Sequence, residues 1–162
     1  LSPRQLRDPQ LPTHILHILQ RNGLPARHLA LEFPETLVLP DPADATNRLE
    51  RLRACGVGIV IDDFGTGWSS LSRLRHLPVD QIKIDRSVVH GTPDDIDNAA
   101  VVSAIIGMAG PLGMSLVAEG IETTGQMEFL RQAGCTFGQG FLFGPPQTAD
   151  RLPQGLASLT TL

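Results

Sequence analysis

Aromatic residues are scarce in this chain of 162 residues: six Phe, one Trp and no Tyr, so any core must be built mainly from aliphatic side chains. Two cysteines, Cys55 and Cys135, are too few for a disulfide framework and fit a reducing compartment. No Lys/Arg run is present, and 13 basic against 17 acidic residues give a formal charge of −4. That balance excludes a protein that coats DNA or RNA by counterion release. No apolar run approaches the roughly 18 residues needed to cross a bilayer, so direct membrane insertion is not expected. Arg4, Arg7 and Asp8 interrupt the opening segment, which does not read as a secretory signal, and the expected location is cytoplasmic. Repeats of fixed period are also missing. The Gly-x-x-x-x-Gly-Lys-Ser/Thr pattern is absent too, which disfavours binding of ATP or GTP through a P-loop.

What is present suits one domain over residues 1–162, with 41% hydrophobic residues and a mean hydropathy of +0.02. Sixteen Gly and 13 Pro imply many abrupt reversals. A unit recurs along the chain: a short β-branched run, a turn, then a helical pattern. The runs at 29–33, 57–61, 81–84, 115–118 and 138–143 read as strands. Each gap leaves room for a crossover helix, and the runs alternate little, as strands covered on both faces do. Asp41-Pro42 reads as N-cap and first helical position, with Leu49, Leu52 and Cys55 following and Gly56 as the stop. Thr123 and Gln126 have capping-box spacing before Met127 and Leu130, and Gly134 ends that helix. Ile96, Ala100, Ala104, Ile105 and Met108 suggest a core-facing stripe ended by Gly110-Pro111. A leading helix is expected over 12–22, and one more short helix after Pro146. The fold class is α/β with a parallel sheet. Two architectures fit: a five-stranded doubly wound sheet, or part of a (β/α)₈ barrel. Length alone favours the first.

The acids fall at strand ends. Glu32 lies near the end of the first run, Asp62-Asp63 close the second, Asp85 closes the third two residues after Lys83, and Glu119 closes the fourth with Glu122 just beyond. Gln139 begins the fifth. Both architectures place active sites at the C-terminal ends of parallel strands. Clustered carboxylates repel one another and are costly to bury unpaired, so cations are the expected compensation. Oxygen donors without a Cys or His set point to Mg²⁺, Mn²⁺ or Ca²⁺ rather than zinc or copper. Two such cations bridged by a carboxylate suit in-line attack of water on a phosphodiester, with Lys83 adding positive charge near the water or phosphate. Against this, a single acid at a strand end is more often a helix N-cap, and Asp63 and Glu122 are the best cap candidates. A lysine inside a strand, between Ile82 and Ile84, needs a partner in any case.

Other signals are weaker. Asp63-Phe64-Gly65 matches the kinase magnesium motif, but the other kinase elements are missing. His14 and His17 suggest a surface or packing role, Ser69 and Ser70 a helix cap, and the two cysteines small core residues at helix ends. A receiver-like phosphoacceptor is disfavoured, because receivers carry the acidic pair on the first strand and the lysine on the last.

Five blocks resemble the EAL-domain phosphodiesterases that hydrolyse cyclic di-GMP. They are Leu31-Glu32-Phe33-Pro34-Glu35-Thr36, the run from Asp62-Asp63-Phe64-Gly65 to Leu71, the run from Leu77-Pro78 to Lys83-Ile84-Asp85, Val117-Ala118-Glu119-Gly120-Ile121-Glu122-Thr123, and Gly138-Gln139-Gly140-Phe141-Leu142-Phe143-Gly144. The resemblance implies a TIM-like barrel and overrides the argument from length. It implies Glu32, Asp62 and Asp63 as metal ligands for Mg²⁺ or Mn²⁺, two ions per complete site. It implies Lys83 orienting the nucleophilic water and Glu119 as a metal-site carboxylate or general base. Asp85, Glu122 and Gln139 would support the site and nucleotide, and Glu35 would anchor the loop after Asp63, through which such domains form homodimers. The implied reaction opens cyclic di-GMP to linear pGpG.

The departures carry expectations of their own. The naming Glu-Ala-Leu block is absent, and the family's Asn ligand would fall just before Leu1. Five of eight strands are therefore expected, without the three N-terminal ones, so that the chain alone is poorly active. Pro34 stands where Thr is common, Trp68 where Tyr is usual, and Pro145 at an often basic position. The alternative is a degenerate module that binds cyclic di-GMP or a protein partner without catalysis.

Overall fold

A computed structural model of the chain describes residues 1–34, 42–67 and 74–148. The elements in order are α1 (Pro3–Arg7), α2 (Leu11–Arg21), β1 (Ala30–Pro34), α3 (Pro42–Ala54), β2 (Gly58–Phe64), β3 (Gln81–Ile84), α4 (Arg86–Val89), α5 (Ile96–Ala109), β4 (Ser115–Ala118), α6 (Thr124–Ala133) and β5 (Phe137–Gly138). The strands follow one another across one sheet in the order β1-β2-β3-β4-β5, with β1–β2 and β4–β5 paired in parallel. A doubly wound sheet reverses its strand order at a switch point. No reversal occurs here, so the doubly wound alternative is overturned in favour of the winding a barrel uses. The chain divides into two compact units, Leu1–Ile82 and Lys83–Leu162.

In the first unit, Leu49 and Leu52 of α3 are fully buried with Phe33 and with Ile59 and Ile61 of β2. Complete burial of each such side chain is worth about 1.5–3 kcal/mol. Asp80 ties the entry of β3 to β2. Its N–H donates to the Ile59 carbonyl at 2.9 Å, its Oδ2 accepts from the Ile59 N–H at 2.9 Å, and its Oδ1 accepts from Arg53 Nε at 2.8 Å. Strand β2 runs three residues beyond the expected end, so the two aspartates lie inside it. The chain past Ala54 turns at Gly56, whose φ of +91° suits glycine. Cys55 is exposed just past the helix, and the expectation of a core residue there is corrected.

In the second unit, Ile84 of β3, Val89 of α4, Val102 of α5, Ala118 of β4 and Leu130 of α6 are all fully buried. The expected stripe on α5 is corrected. The helix buries Val102, Ile105, Ile106 and Ala109, while Ile96 is 81% exposed. Apolar residues surround this helix, so their spacing does not single out the buried face. The chain continues past Gly110-Pro111 as a 3₁₀ turn to Leu112 before Gly113 ends it. The capping box at Thr123 and Gln126 forms as expected. Strand β5 is two residues rather than six. After Gln139 the chain folds back, with the Phe143 N–H donating to the Gly140 carbonyl and that of Gly144 to Phe141. The expected cap at Ser69 and Ser70, the N-cap Asp41 and the helix after Pro146 lie outside the described residues.

Gln126 does more than close a cap. Only 3% exposed, it accepts from the Glu122 and Thr123 N–H groups at 2.8 and 3.0 Å and donates to the His90 carbonyl at 3.0 Å. Replacing it by Leu removes these partners and leaves buried polar groups unsatisfied, each costing about 1–3 kcal/mol. Urea denaturation of Gln126→Leu should show a loss of about 2–4 kcal/mol, and Gln126→Glu a smaller loss; equal stability of Gln126→Leu and the parent chain would contradict this role.

Candidate active site

The first unit supplies three carboxylates. Glu32 lies at the middle of β1, in register with Val60 of β2, and Pro34 is in register with Asp62. Side chains two residues apart share a face of a strand, so Glu32 and Asp62 emerge on the same face as diagonal neighbours. Glu32 is exposed, whereas Asp62 is half-buried with its Oδ1 atom shut off from solvent. In a regular strand Asp63 would point to the opposite face. Instead Asp63 has φ of +55°, in the left-handed region, which breaks the alternation. Left-handed backbone costs most residues roughly 1–2 kcal/mol, and Asp and Asn tolerate it best. The sequence suggests Asp63 as a cap; the structure gives it this turned backbone and an exposed side chain instead.

The second unit supplies an ion pair. Lys83 of β3 and Glu119, which follows β4, meet with Nζ and Oε1 2.6 Å apart, and their side chains are only 12% and 19% exposed. Glu119 is placed by its own N–H, which donates to the Ile84 carbonyl at 3.0 Å. Lys83 is also the only lysine among 162 residues, against 12 arginines. That count is a signal the motif reading passes over. Where twelve of the 13 basic positions carry a guanidinium, the exception marks a place that uses a compact ammonium.

The remaining expected residues separate by role. Asp85 is the N-cap of α4, its Oδ1 accepting from the Ser87 N–H at 2.8 Å and from the Ser87 hydroxyl at 2.5 Å. Glu122 caps no helix: its exposed side chain precedes the cap Thr123. Gln139 is exposed, and its backbone links strand ends: its N–H donates to the Ala118 carbonyl at 2.8 Å and its carbonyl accepts from the Ile121 N–H at 3.0 Å. Glu35 lies outside the described residues, as does part of the loop after Asp63. Burial pushes the Cys135 thiol up, which suits an inert core residue. Glu128, held down to about 2 by hydrogen bonds from Arg131 and Gln132, belongs to a surface cluster on α6.

The donor chemistry fits a hard divalent cation: Glu32, Asp62 and Asp63 offer only carboxylate oxygens, and one of these is desolvated at Asp62. Among the described residues, however, no three His, Cys, Asp or Glu side chains are grouped so as to hold a metal ion.

The EAL domain family model matches residues 1–146. The chain belongs to the EAL domain family. It is 43% identical over 157 residues to the bifunctional diguanylate cyclase/cyclic di-GMP phosphodiesterase MucR of Pseudomonas aeruginosa, covering 97% of this chain and 23% of that protein. The solved MucR phosphodiesterase in complex with c-di-GMP matches with a TM-score of 0.88 at 44% identity, covering 94% of this chain and 62% of that one. The EAL domain of Mycobacterium smegmatis DcpA matches with a TM-score of 0.90 at 39% identity, covering 97% and 70%. Klebsiella pneumoniae BlrP1, solved as a manganese/cyclic di-GMP complex, matches with a TM-score of 0.80 at 32% identity, covering 90% and 38%. The chain thus spans less than a quarter of the first curated relatives, at 22% and 23% of their lengths. The parallel α/β sheet expected from the sequence agrees with these EAL neighbours.

The left-handed backbone at Asp63 makes a prediction for this EAL chain. Asp63→Asn and Asp63→Gly should keep stability within about 0.5 kcal/mol, whereas Asp63→Ala should lose roughly 1–2 kcal/mol in urea denaturation. If all three variants melted alike, the turned backbone would carry no strain.

Proposed function

We propose that the chain is the larger part of an EAL module that hydrolyses cyclic di-GMP to linear pGpG with divalent metal, Mg²⁺ or Mn²⁺, two ions per complete site. The observation that carries the reading is the shielded Lys83–Glu119 ion pair at the ends of β3 and β4, in a chain whose β1 and β2 also carry acids. Glu32, Asp62 and Asp63 would hold the metal. A bound divalent cation supplies an activated water and neutralises phosphate charge. Lys83 would orient the attacking water and offset negative charge at the phosphate, and Glu119 would keep the ammonium aimed. Glu119 would also serve as the base that accepts a proton from a water held by Lys83. Asp85 would support the site indirectly by fixing α4, and Glu122 and Gln139 would support the site and the bound nucleotide. Glu35 and the loop after Asp63 would shape the homodimer contact. The proposed setting is the cytoplasm; among the described residues no helix is long and apolar enough to cross a membrane.

The coordination shell is proposed to gain further donors from residues preceding Leu1. The Leu1 amine donates to the Glu32 backbone carbonyl, so a segment ahead of Leu1 would arrive beside that acid. A second reading is a module that binds cyclic di-GMP without turning it over. It is favoured by the absence of a closed three-ligand group among the described residues.

Chromatography of cyclic di-GMP incubated with Mn²⁺ and the chain, alone and extended by its upstream coding sequence, separates the two. Hydrolysis predicts pGpG from the extended protein, lowered at least about 100-fold by Asp62→Ala or Lys83→Met, in line with the loss of one electrostatic stabiliser. Nucleotide retained in equilibrium dialysis with no pGpG from the extended protein would establish the binding reading instead.

A further inference from the structure

The pair Lys83–Glu119 depends on where the backbone after β4 lies, and two glycines fix that backbone from opposite sides. Gly120 follows Glu119 directly and has φ of +70°. A Cβ added there would lie 2.5 Å from the Cβ of Arg86, closer than such atoms approach, and a tight 3.3 Å from its Cα. Arg86 opens α4, which is itself pinned by the Asp85 cap, so this neighbour does not give easily. On the other side, a Cβ at Gly140 would run into the backbone N, C and O of Ile121. Ile121 is at the same time held by hydrogen bonds in both directions: its N–H donates to Gln139 and its carbonyl accepts from Leu142, each at 3.0 Å. The segment 119–121 is therefore seated between α4 and the turn after β5 by contacts that only an absent side chain allows.

We infer that Gly120 and Gly140 are positioning residues that set Glu119 against Lys83, an inference that rests on the proposed use of this pair in the site. A methyl group at either glycine must push the segment away from its neighbour. Glu119 moves with it, because a single peptide bond joins it to Gly120. The effect passes through Glu119; neither glycine is assigned contact with substrate.

The solitary lysine makes the inference directly measurable. With ¹³C-labelled lysine the chain yields one Cε–Hε correlation, that of Lys83. Glu119→Gln should displace this signal and set the reference shift for a lost partner. Gly140→Ala should displace it in the same direction by at least half as much, and so should Gly120→Ala. Arg86→Gly removes the Cβ that a side chain at residue 120 would strike. In the Gly120→Ala background it should return the signal toward its original position, while Arg86→Gly alone should leave it in place. Glycine variants that lower the urea midpoint but leave the Lys83 signal unmoved would overturn the inference, reducing both residues to a structural role. If Gly140→Ala does not fold, the Lys83 signal of Gly120→Ala decides the matter: an unmoved signal overturns it. The readout uses neither nucleotide nor metal, so failure of the proposed hydrolysis would leave this result standing, and the reverse.

Discussion

An ammonium and a carboxylate drawn out of water are held together at Lys83 and Glu119, and the second unit is arranged around keeping them so. A shielded ion pair is a poor way to gain stability. The desolvation of two charges roughly cancels their attraction, and an apolar pair of similar volume often does as well or better. Removing one partner, by contrast, costs about 3–5 kcal/mol, since the other charge is left stranded. A pair that is dispensable as a whole but costly to break singly is expected where the charges are used. The presence of the chain's only lysine at this position supports the same conclusion from the sequence side.

The surrounding elements serve this constraint in different ways. Strand β3 is apolar at Ile82 and Ile84, both fully buried, which leaves the alternate residue Lys83 on the other face. Its end is fixed by the Asp85 cap on α4. Glu119 is one residue past β4, where the extended backbone gives way to Gly120. The Gln139 backbone and the Gln126 side chain then secure the following residues, so the turn that carries Glu119 has few degrees of freedom. The first unit solves a different problem. It must bring successive aspartates out of a strand that would alternate them, and it does so with a left-handed residue at Asp63.

Much of this was legible because it is local. Strands β3 and β4 have the bounds expected from their β-branched runs, and the Thr123–Gln126 box and the glycine stop at Gly134 follow from spacing alone. The acids at strand ends were visible for the same reason. What was hidden depends on distant partners. Strand β5 gives way after Gly138 to a turn whose Gly140 packs on the Ile121 backbone, a contact no local pattern encodes. The buried face of α5 was misread because its apolar residues surround the helix. Asp85 was hidden as a cap because α4, only four residues long, is too short to show a periodic pattern, and Glu122 is no cap because Thr123 takes that place. Gln126 looked like a capping residue only; its hydrogen bond to the His90 carbonyl, 36 residues away in sequence, made it a buried hub.

Lys83 and Glu119 depend on each other for their place in the fold, and a double-mutant cycle in denaturation measures that dependence. Lys83→Met and Glu119→Gln should each destabilise the chain, and the double variant should cost less than the sum of the two by about 2 kcal/mol. Additive effects, within about 0.5 kcal/mol, would mean that the two groups do not support each other in solution and would contradict the account.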